Sequence, residues 1–263
     1  VCIAKDGVLV WATDGECYIG GNMYERLSLP EAVEKAKSGS TIHLLKDVVL
    51  DASITLNRIG EAITIDSDGE MKTISINIEK DENIKTAAKR LFIIRNGNLT
   101  LENVALKGGM HKDYGGLAVV EEASCSLTLK GTTRLSGGKA SYGGAVWVRR
   151  GTLTVSEDAL IEDCEAEVGG GAIYITDSGT VNLIGGTVKN NSAPAQGGIK
   201  ALSGSKIFIE NNAEVYGNKD GSGEESNIVP EDKNTVVLKG TFTGKAGVSF
   251  GGASEAFGLS YAN

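Results

Sequence analysis

Gly143-Gly144-Ala145-Val146-Trp147-Val148 is followed by Gly170-Gly171-Ala172-Ile173-Tyr174-Ile175, the same pattern one repeat later. A looser copy, Gly197-Gly198-Ile199-Lys200-Ala201-Leu202, comes after, and Gly115-Gly116-Leu117-Ala118-Val119-Val120 comes before. The four starts are 28, 27 and 27 residues apart. A fixed period of this size marks a solenoid, in which each repeat buries its apolar side only against its neighbours. Between the glycine pairs the apolar residues recur two apart, the spacing of half-buried strands.

Laid out by period, the residues after 98 fall into columns. One carries Leu99/Leu101, Leu127/Leu129, Leu153/Val155, Val181/Leu183, Ile207/Ile209 and Val236/Leu238; a second carries Val120, Val148, Ile175 and Leu202; a third carries Leu106, Leu135, Ile161, Val188 and Val215. Three strands per coil of about 27 residues, each stacked on its equivalent one coil later, describe an all-β chain folded as a right-handed parallel β-helix. Glycines, with Asn191 and Asn218, fall at the corners, where positive φ or side-chain ladders are needed. Cys125 shares the phase of Leu127 and Leu129 and is expected inside.

Upstream, Ser28-Leu29-Pro30-Glu31 reads as a capping box. Leu29, Ala32, Val33 and Ala36 then form one stripe up to Gly39, so a short amphipathic helix is expected over 29–38. Placed before the first strand, Ser40-Thr41-Ile42-His43-Leu44-Leu45, such a helix covers the open apolar end of the stack. The expected organisation is an N-terminal hairpin or cap over 1–27, turning at Asp14-Gly15, then the β-helix over 28–243, then a closing cap or linker over 244–263. Two segments break the pattern: 79–90, read as a projecting loop or short helix, and an insertion over 219–233.

Composition narrows the function. Glycine is abundant at 36 residues and proline scarce at 3, which suits many tight turns on an all-β scaffold. A net charge of −8 argues against a nucleic-acid partner, since no basic stripe is present to neutralise phosphates. No apolar run approaches the roughly 20 residues of a membrane span, so no membrane insertion is expected. The chain has neither a signal peptide nor a starting Met and reads as a trimmed mature protein or an excised fragment. Cys2, Cys17, Cys125 and Cys164 lack C-x-x-C spacing, and neither a cofactor motif nor a metal-ligand pattern is evident. Cys2 and Cys17 flank the expected hairpin; they are either a disulfide formed in an oxidising compartment or two ordinary thiols.

The Gly-Gly-Ala-Ile/Val repeats, with Asn190-Asn191 some 20 residues on, resemble those of bacterial surface β-helix proteins. Chlamydial polymorphic membrane proteins carry a similar Gly-Gly-Ala-Ile pattern joined to Phe-x-x-Asn. Here Val188-Lys189-Asn190-Asn191 and Val215-Tyr216-Gly217-Asn218 stand in the second position. The opening from Ser28 to Val48 is similar to the start of β-helical modules in large surface proteins of Gram-positive bacteria. The resemblance, spanning roughly 24–243, implies a pectin-lyase-like fold and a secreted or cell-surface location.

Three surface features bear on function. With Val146/Val148 and Ile173/Ile175 pointing inward, alternation turns Trp147 and Tyr174 outward, one above the other, with Val119 and Ala201 continuing the column and Arg149 and Arg150 following the Trp. Exposed ring faces beside hydrogen-bonding groups suit carbohydrate, so Trp147, Tyr174 and Arg149 are the candidate ligand-binding residues. The structural alternative is aromatic packing along the rod or under a loop such as 107–114, with Tyr114 and Tyr142 as turn packing. Secondly, outward Thr pairs (Thr100, Thr128, Thr152/Thr154, Thr180) resemble an ice-binding face, interrupted by Lys206/Phe208 and flanked by Glu102 and Lys130; Thr is also simply a good exposed strand residue. Thirdly, pectin-degrading lyases and hydrolases share this fold, and their chemistry needs paired carboxylates or acidic calcium ligands with a base. Glu157, Asp158, Glu162, Asp163 and Asp177 are the acids to consider, with Arg149 and Arg150. No three of them share a column, and neither His43 nor His111 has a partner evident in the sequence. The expectation is a non-catalytic surface module, an adhesin or stalk, whose partner is carbohydrate or a surface glycoprotein; a polysaccharide lyase or glycoside hydrolase and a pure spacer are the alternatives.

Overall fold

The computed structural model describes residues 15–78, 84–232 and 235–248, together with the backbone of Cys2–Lys5, Val8–Trp11 and Ser260–Ala262. The chain is an all-β parallel β-helix of about 7 turns with one helix. Three faces run its length. Face 1 stacks 54–57, 92–94, Ala118–Val120, Val146–Arg149, Ile173–Thr176, Ile199–Ala201 and Ile228–Pro230. Face 2 starts at Ser40–Leu44 and runs through 98–102, Ser126–Lys130 and 152–156 to Val236–Phe242, where Ser260–Ala262 adds a further strand. Face 3 runs from Val48–Leu50 through Val104–Lys107 and Arg134–Ser136 to Lys245–Ala246.

The interior follows the expected columns. Leu99, Leu127, Leu153, Val181 and Ile207 are in register on face 2, and Leu106, Leu135, Ile161, Val188 and Val215 on face 3, all buried. Burying each such side chain contributes roughly 1.5–3 kcal/mol relative to leaving it exposed. Cys125 is inside as expected. Cys17 is a buried free thiol that donates to the Leu27 carbonyl, so it is not in a disulfide; Cys2 lies outside the side chains described.

The Gly-Gly repeat has a steric cause with two parts. Gly115, Gly143 and Gly170 sit at φ of 60–65°, a left-handed conformation that side chains with a Cβ disfavour. Their successors are required for space instead. A Cβ on Gly116 would stand 2.4 Å from the Gly144 carbonyl oxygen, one on Gly144 2.3 Å from that of Gly171, and one on Gly171 2.1 Å from that of Gly197. The coils touch backbone to backbone at this corner.

The coil from 173 to 199 corrects the sequence register by one residue. Ile173 pairs with Ile199, Tyr174 with Lys200 and Ile175 with Ala201, so Leu202 leaves the inward column and Lys200, not Ala201, continues the outward one. Gly198 accepts the hydrogen bonds of Ala172 and Ile173, so the third glycine pair sits one position later relative to the coil than its predecessors. A one-residue slip in a strand exchanges inside for outside, which is why identical-looking motifs carried different residues outward.

A fourth, lateral strip was not anticipated. Met110–Tyr114, Lys139–Tyr142 and Glu165–Gly169 pair in parallel, Ala88–Lys89 pairs antiparallel to the first of them, and Ser192 and Lys219 extend the row by single bridges. Of the charged segment 79–90, 79–83 lie outside the described residues, and its end forms this edge. The insertion 219–233 turns at 220–223 and then supplies the Ile228–Pro230 strand of face 1, so the ladder continues through it. At the N-terminus, Val8–Trp11 pairs antiparallel with Cys2–Lys5, while Cys17–Ile19 pairs antiparallel with Ser40–Leu44; Asp14 of the expected Asp14-Gly15 turn lies outside the described residues.

The helix spans Leu29–Lys35, shorter than expected. The Ser28 backbone N–H and hydroxyl both donate to the Glu31 carboxylate, at 3.0 and 2.7 Å. At the other end the Arg58 guanidinium donates to the carbonyls of Val33, Glu34 and Ala36, placing a cation at the negative end of the helix dipole. The chain is extended at Ala36, so Gly39 lies beyond the helix and not at its cap.

Candidate functional site

Trp147 and Tyr174 are register partners on the outer side of face 1. Their rings do not simply stack on each other. The lateral strip brings Tyr114 onto Trp147, with ring centroids 4.3 Å apart and planes 21° from parallel, and Tyr142 to within 4.8 Å of Tyr174. Tyr114 and Tyr142 are themselves 5.4 Å apart, so the two predicted columns merge into one four-ring cluster. All four side chains are half-buried, and Val119, next upstream in the outward column, is fully buried. Outward alternation is therefore right for the backbone, but the strip covers much of what alternation turned out. Such offset stacks stabilise by about 0.5–1.5 kcal/mol per pair beyond the area they bury.

The glycines make room for this cluster. A Cβ on Gly143 or Gly170 would come within 3.1–3.2 Å of the Tyr174 Cβ. The row that carries Tyr114 and Tyr142 reaches Gly169 at its third position, which ends the ring series. Trp147 touches Tyr114 alone among the rings, so one indole face has no aromatic neighbour among the described residues. Its Nε1–H donates to the Thr176 hydroxyl at 3.1 Å. Burial, with the neighbouring Tyr142 and Tyr114, pushes the Tyr174 phenol up to about 12.

Arg149 lies at the end of the same strand and donates to Asp177 Oδ2 at 2.9 Å; both groups are well exposed. The corner continues with Arg150–Glu122 and Arg95–Glu121, an ion-pair ladder between successive coils. Lys200, below Tyr174, pairs with Glu231 at 3.4 Å.

The acids considered for catalysis occupy three separate corners. Glu157 and Asp158 lie between faces 2 and 3, Glu162 and Asp163 follow face 3, and Asp177 follows face 1. Glu157 accepts the Gly131 N–H at 2.7 Å, and Glu162 is held by Arg134 and Lys189. Among the described residues no group of three or more His, Cys, Asp and Glu side chains converges to hold a metal ion. The Thr column is continuous through Thr41, Thr64, Thr100, Thr128 and Thr154, then passes to Asn182 and Phe208, where Lys239 lies 3.6 Å over the ring.

His43 has partners that sequence reading missed. Its Nδ1 lies 2.7 Å from Asp66 Oδ1, its ring stacks on Tyr18 at 4.8 Å, and the Tyr18 hydroxyl donates to Asp68 at 3.1 Å. Extending the face 2 columns upstream aligns Ile42 with Ile65 and so places Asp66 beside His43. Burial raises the Asp66 carboxyl above its ordinary range, against the opposing pull of His43.

No helix among the described residues is long and apolar enough to cross a membrane. The fold and cluster together define a parallel β-helix that carries a laterally packed aromatic cluster. Compared with protein-family profiles, curated proteins and solved structures, the chain matches none.

Proposed function

We propose that this chain is a non-catalytic module of a bacterial cell-surface or secreted protein, and that it binds carbohydrate or a surface glycoprotein through the Trp147 cluster. The observation that carries the reading is the four-ring cluster itself, half-exposed beside the ion pairs Arg149–Asp177 and Arg150–Glu122. The indole face free of other rings offers a sugar the apolar C–H contact, and Arg149 on the same strand offers a hydrogen-bonding anchor once it exchanges Asp177. Trp147 and Tyr174 are mounted on in-register strands, so these two rings are held in place before a ligand arrives and little ordering is left to oppose binding. The Gly-Gly-Ala-Ile resemblance to surface β-helix proteins supports the location.

The test is a glycan array probed with wild type and Trp147→Ala. Binding that falls at least tenfold in the variant, with its far-ultraviolet circular dichroism unchanged, is the expected result. An array without hits, or hits indifferent to the substitution, removes the site. One observation favours the catalytic alternative, a polysaccharide lyase or glycoside hydrolase: His43 oriented by Asp66 with Tyr18 alongside, the geometry of a positioned base. Turnover of an acidic polysaccharide that is lost in His43→Gln would establish it.

A further inference from the structure

The strand Met110–Tyr114 carries a break in register between His111 and Tyr114: His111 pairs with Ala140, but Tyr114 pairs with Tyr142. This bulge is what brings the Tyr114 ring over Trp147. Three bonds meet at the bulge: the Lys112 N–H donates to the Ala87 carbonyl at 2.8 Å, the Ser141 hydroxyl donates to the Lys112 carbonyl at 2.6 Å, and the Asp113 backbone N–H donates to His111 Nδ1 at 3.1 Å, the one of the three that a proton on the imidazole breaks. The bond requires Nδ1 to be an unprotonated acceptor. A proton there would set one N–H against another.

The surroundings of His111 oppose that proton as well. The strands on either side place only Ala88 and Ala140 against it. The charged groups that face it are Arg90, from the segment leading into face 1, and Lys112 and Asp113 on its own strand. Arg90 is only 7 % exposed, and Asp113 and Glu121 are the carboxylates that act on it. Among the described residues neither forms an ion pair with Arg90; Glu121 pairs with Arg95 instead. Burial, reinforced by Arg90, takes the His111 imidazole down to about 4.

We propose that His111 is an acid-operated latch on the lateral strip: protonation of its imidazole breaks the bulge and withdraws Tyr114 from Trp147, opening to a ligand the second indole face, the one that the Tyr114 ring covers. The latch stands on the strip alone; its consequence for ligands rests on the binding reading above. The sign follows from linkage. A base whose pKa is lower in the closed strip than when released takes up its proton on opening, so closure is favoured above about pH 6.5 and weakens as pH falls towards about 4.

Amide hydrogen exchange on the intact protein tests the latch. Between about pH 7 and about pH 5, protection of the Lys112 and Asp113 amides, corrected for intrinsic exchange, is expected to fall about twentyfold. Amides of the face 2 strand Ser126–Lys130 should hold their protection. In His111→Asn the side-chain oxygen accepts the amide two residues on without titrating, so protection of the strip should stay level. Level protection in the wild type, or a fall in His111→Asn equal to that of the wild type, overturns the latch. Glycan-array binding at both pH values separates the two ideas. Binding that strengthens on acidification in the wild type but not in His111→Asn supports the coupling. PH-independent binding through Trp147, with strip protection still falling, breaks the coupling. An array without hits at either pH removes the binding reading and leaves the latch standing.

Discussion

At the scale of single residues, the recurrent glycine pair is two requirements placed side by side. The first glycine answers a torsional demand and the second a demand for space, and the two can be told apart by substitution. Gly144→Ala drives a Cβ to within 2.3 Å of one carbonyl oxygen and 2.5 Å of another, backbone atoms that can yield only by separating coils. It is expected to cost about 1–3 kcal/mol in chemical denaturation, the range for overpacking a filled interior. Gly21→Ala, which meets nothing within 4 Å and has no left-handed φ, should remain within about 0.5 kcal/mol of wild type. Equal effects at the two positions would refute the steric account. Spacing alone revealed the pair; the reason for the second glycine is a carbonyl that arrives from the next coil, 27 residues away.

At the scale of the element, the corner after face 3 is held by a ladder of buried amides. Asn218 Oδ1 accepts both the backbone N–H and the side-chain amide of Asn191, at 3.1 and 2.8 Å, and Asn227 Oδ1 does the same for Asn218 at 3.0 and 2.9 Å. Each amide satisfies backbone groups that the turn removes from the sheet, and Asn191 and Asn218 are completely buried. Asn218→Ala strips partners from both neighbours at once, leaving buried donors unpaired. A loss of about 2–4 kcal/mol is expected by urea denaturation. A loss under about 0.5 kcal/mol would mean that the ladder is replaceable by solvent. Asn191 and Asn218 stood out in the sequence as corner residues. Asn227 did not, because it reaches the ladder from the insertion, only nine residues beyond Asn218.

At the scale of the molecule, about 7 turns at about 4.8 Å each give a stack on the order of 35 Å. Its lateral faces run the length of the described stack. Those faces are laced with ion pairs between coils, including Lys139–Glu165, Arg149–Asp177 and Arg150–Glu122, all with both partners more than a third exposed. Pairs of this kind contribute little individually, and the −8 net charge opposes compaction. Salt screens both terms. Raising NaCl from about 0.05 to about 0.5 M should therefore shift unfolding free energy by less than about 1 kcal/mol. A loss of several kcal/mol would show that the charge ladder, and not the apolar interior, carries the fold.

Periodicity by itself determined the parallel coil and the inward columns of faces 2 and 3, because each depends on contacts repeated at one fixed interval, and the helix was legible from its own capping box and apolar stripe. Tertiary structure decided what the outward column does. Tyr114 and Tyr142 meet Trp147 and Tyr174 only because a fourth strand row folds over face 1, and that row has no apolar alternation to announce it: Met110-His111-Lys112-Asp113-Tyr114 reads as a polar loop. The Asp66 partner of His43 was hidden for a related reason, since the first coil is shorter than the repeat that revealed the others. Buried periodic residues are constrained by packing that recurs in every coil, and so leave a signal in the chain. A site assembled once, by side chains from different coils, is constrained only by the neighbours it meets in space.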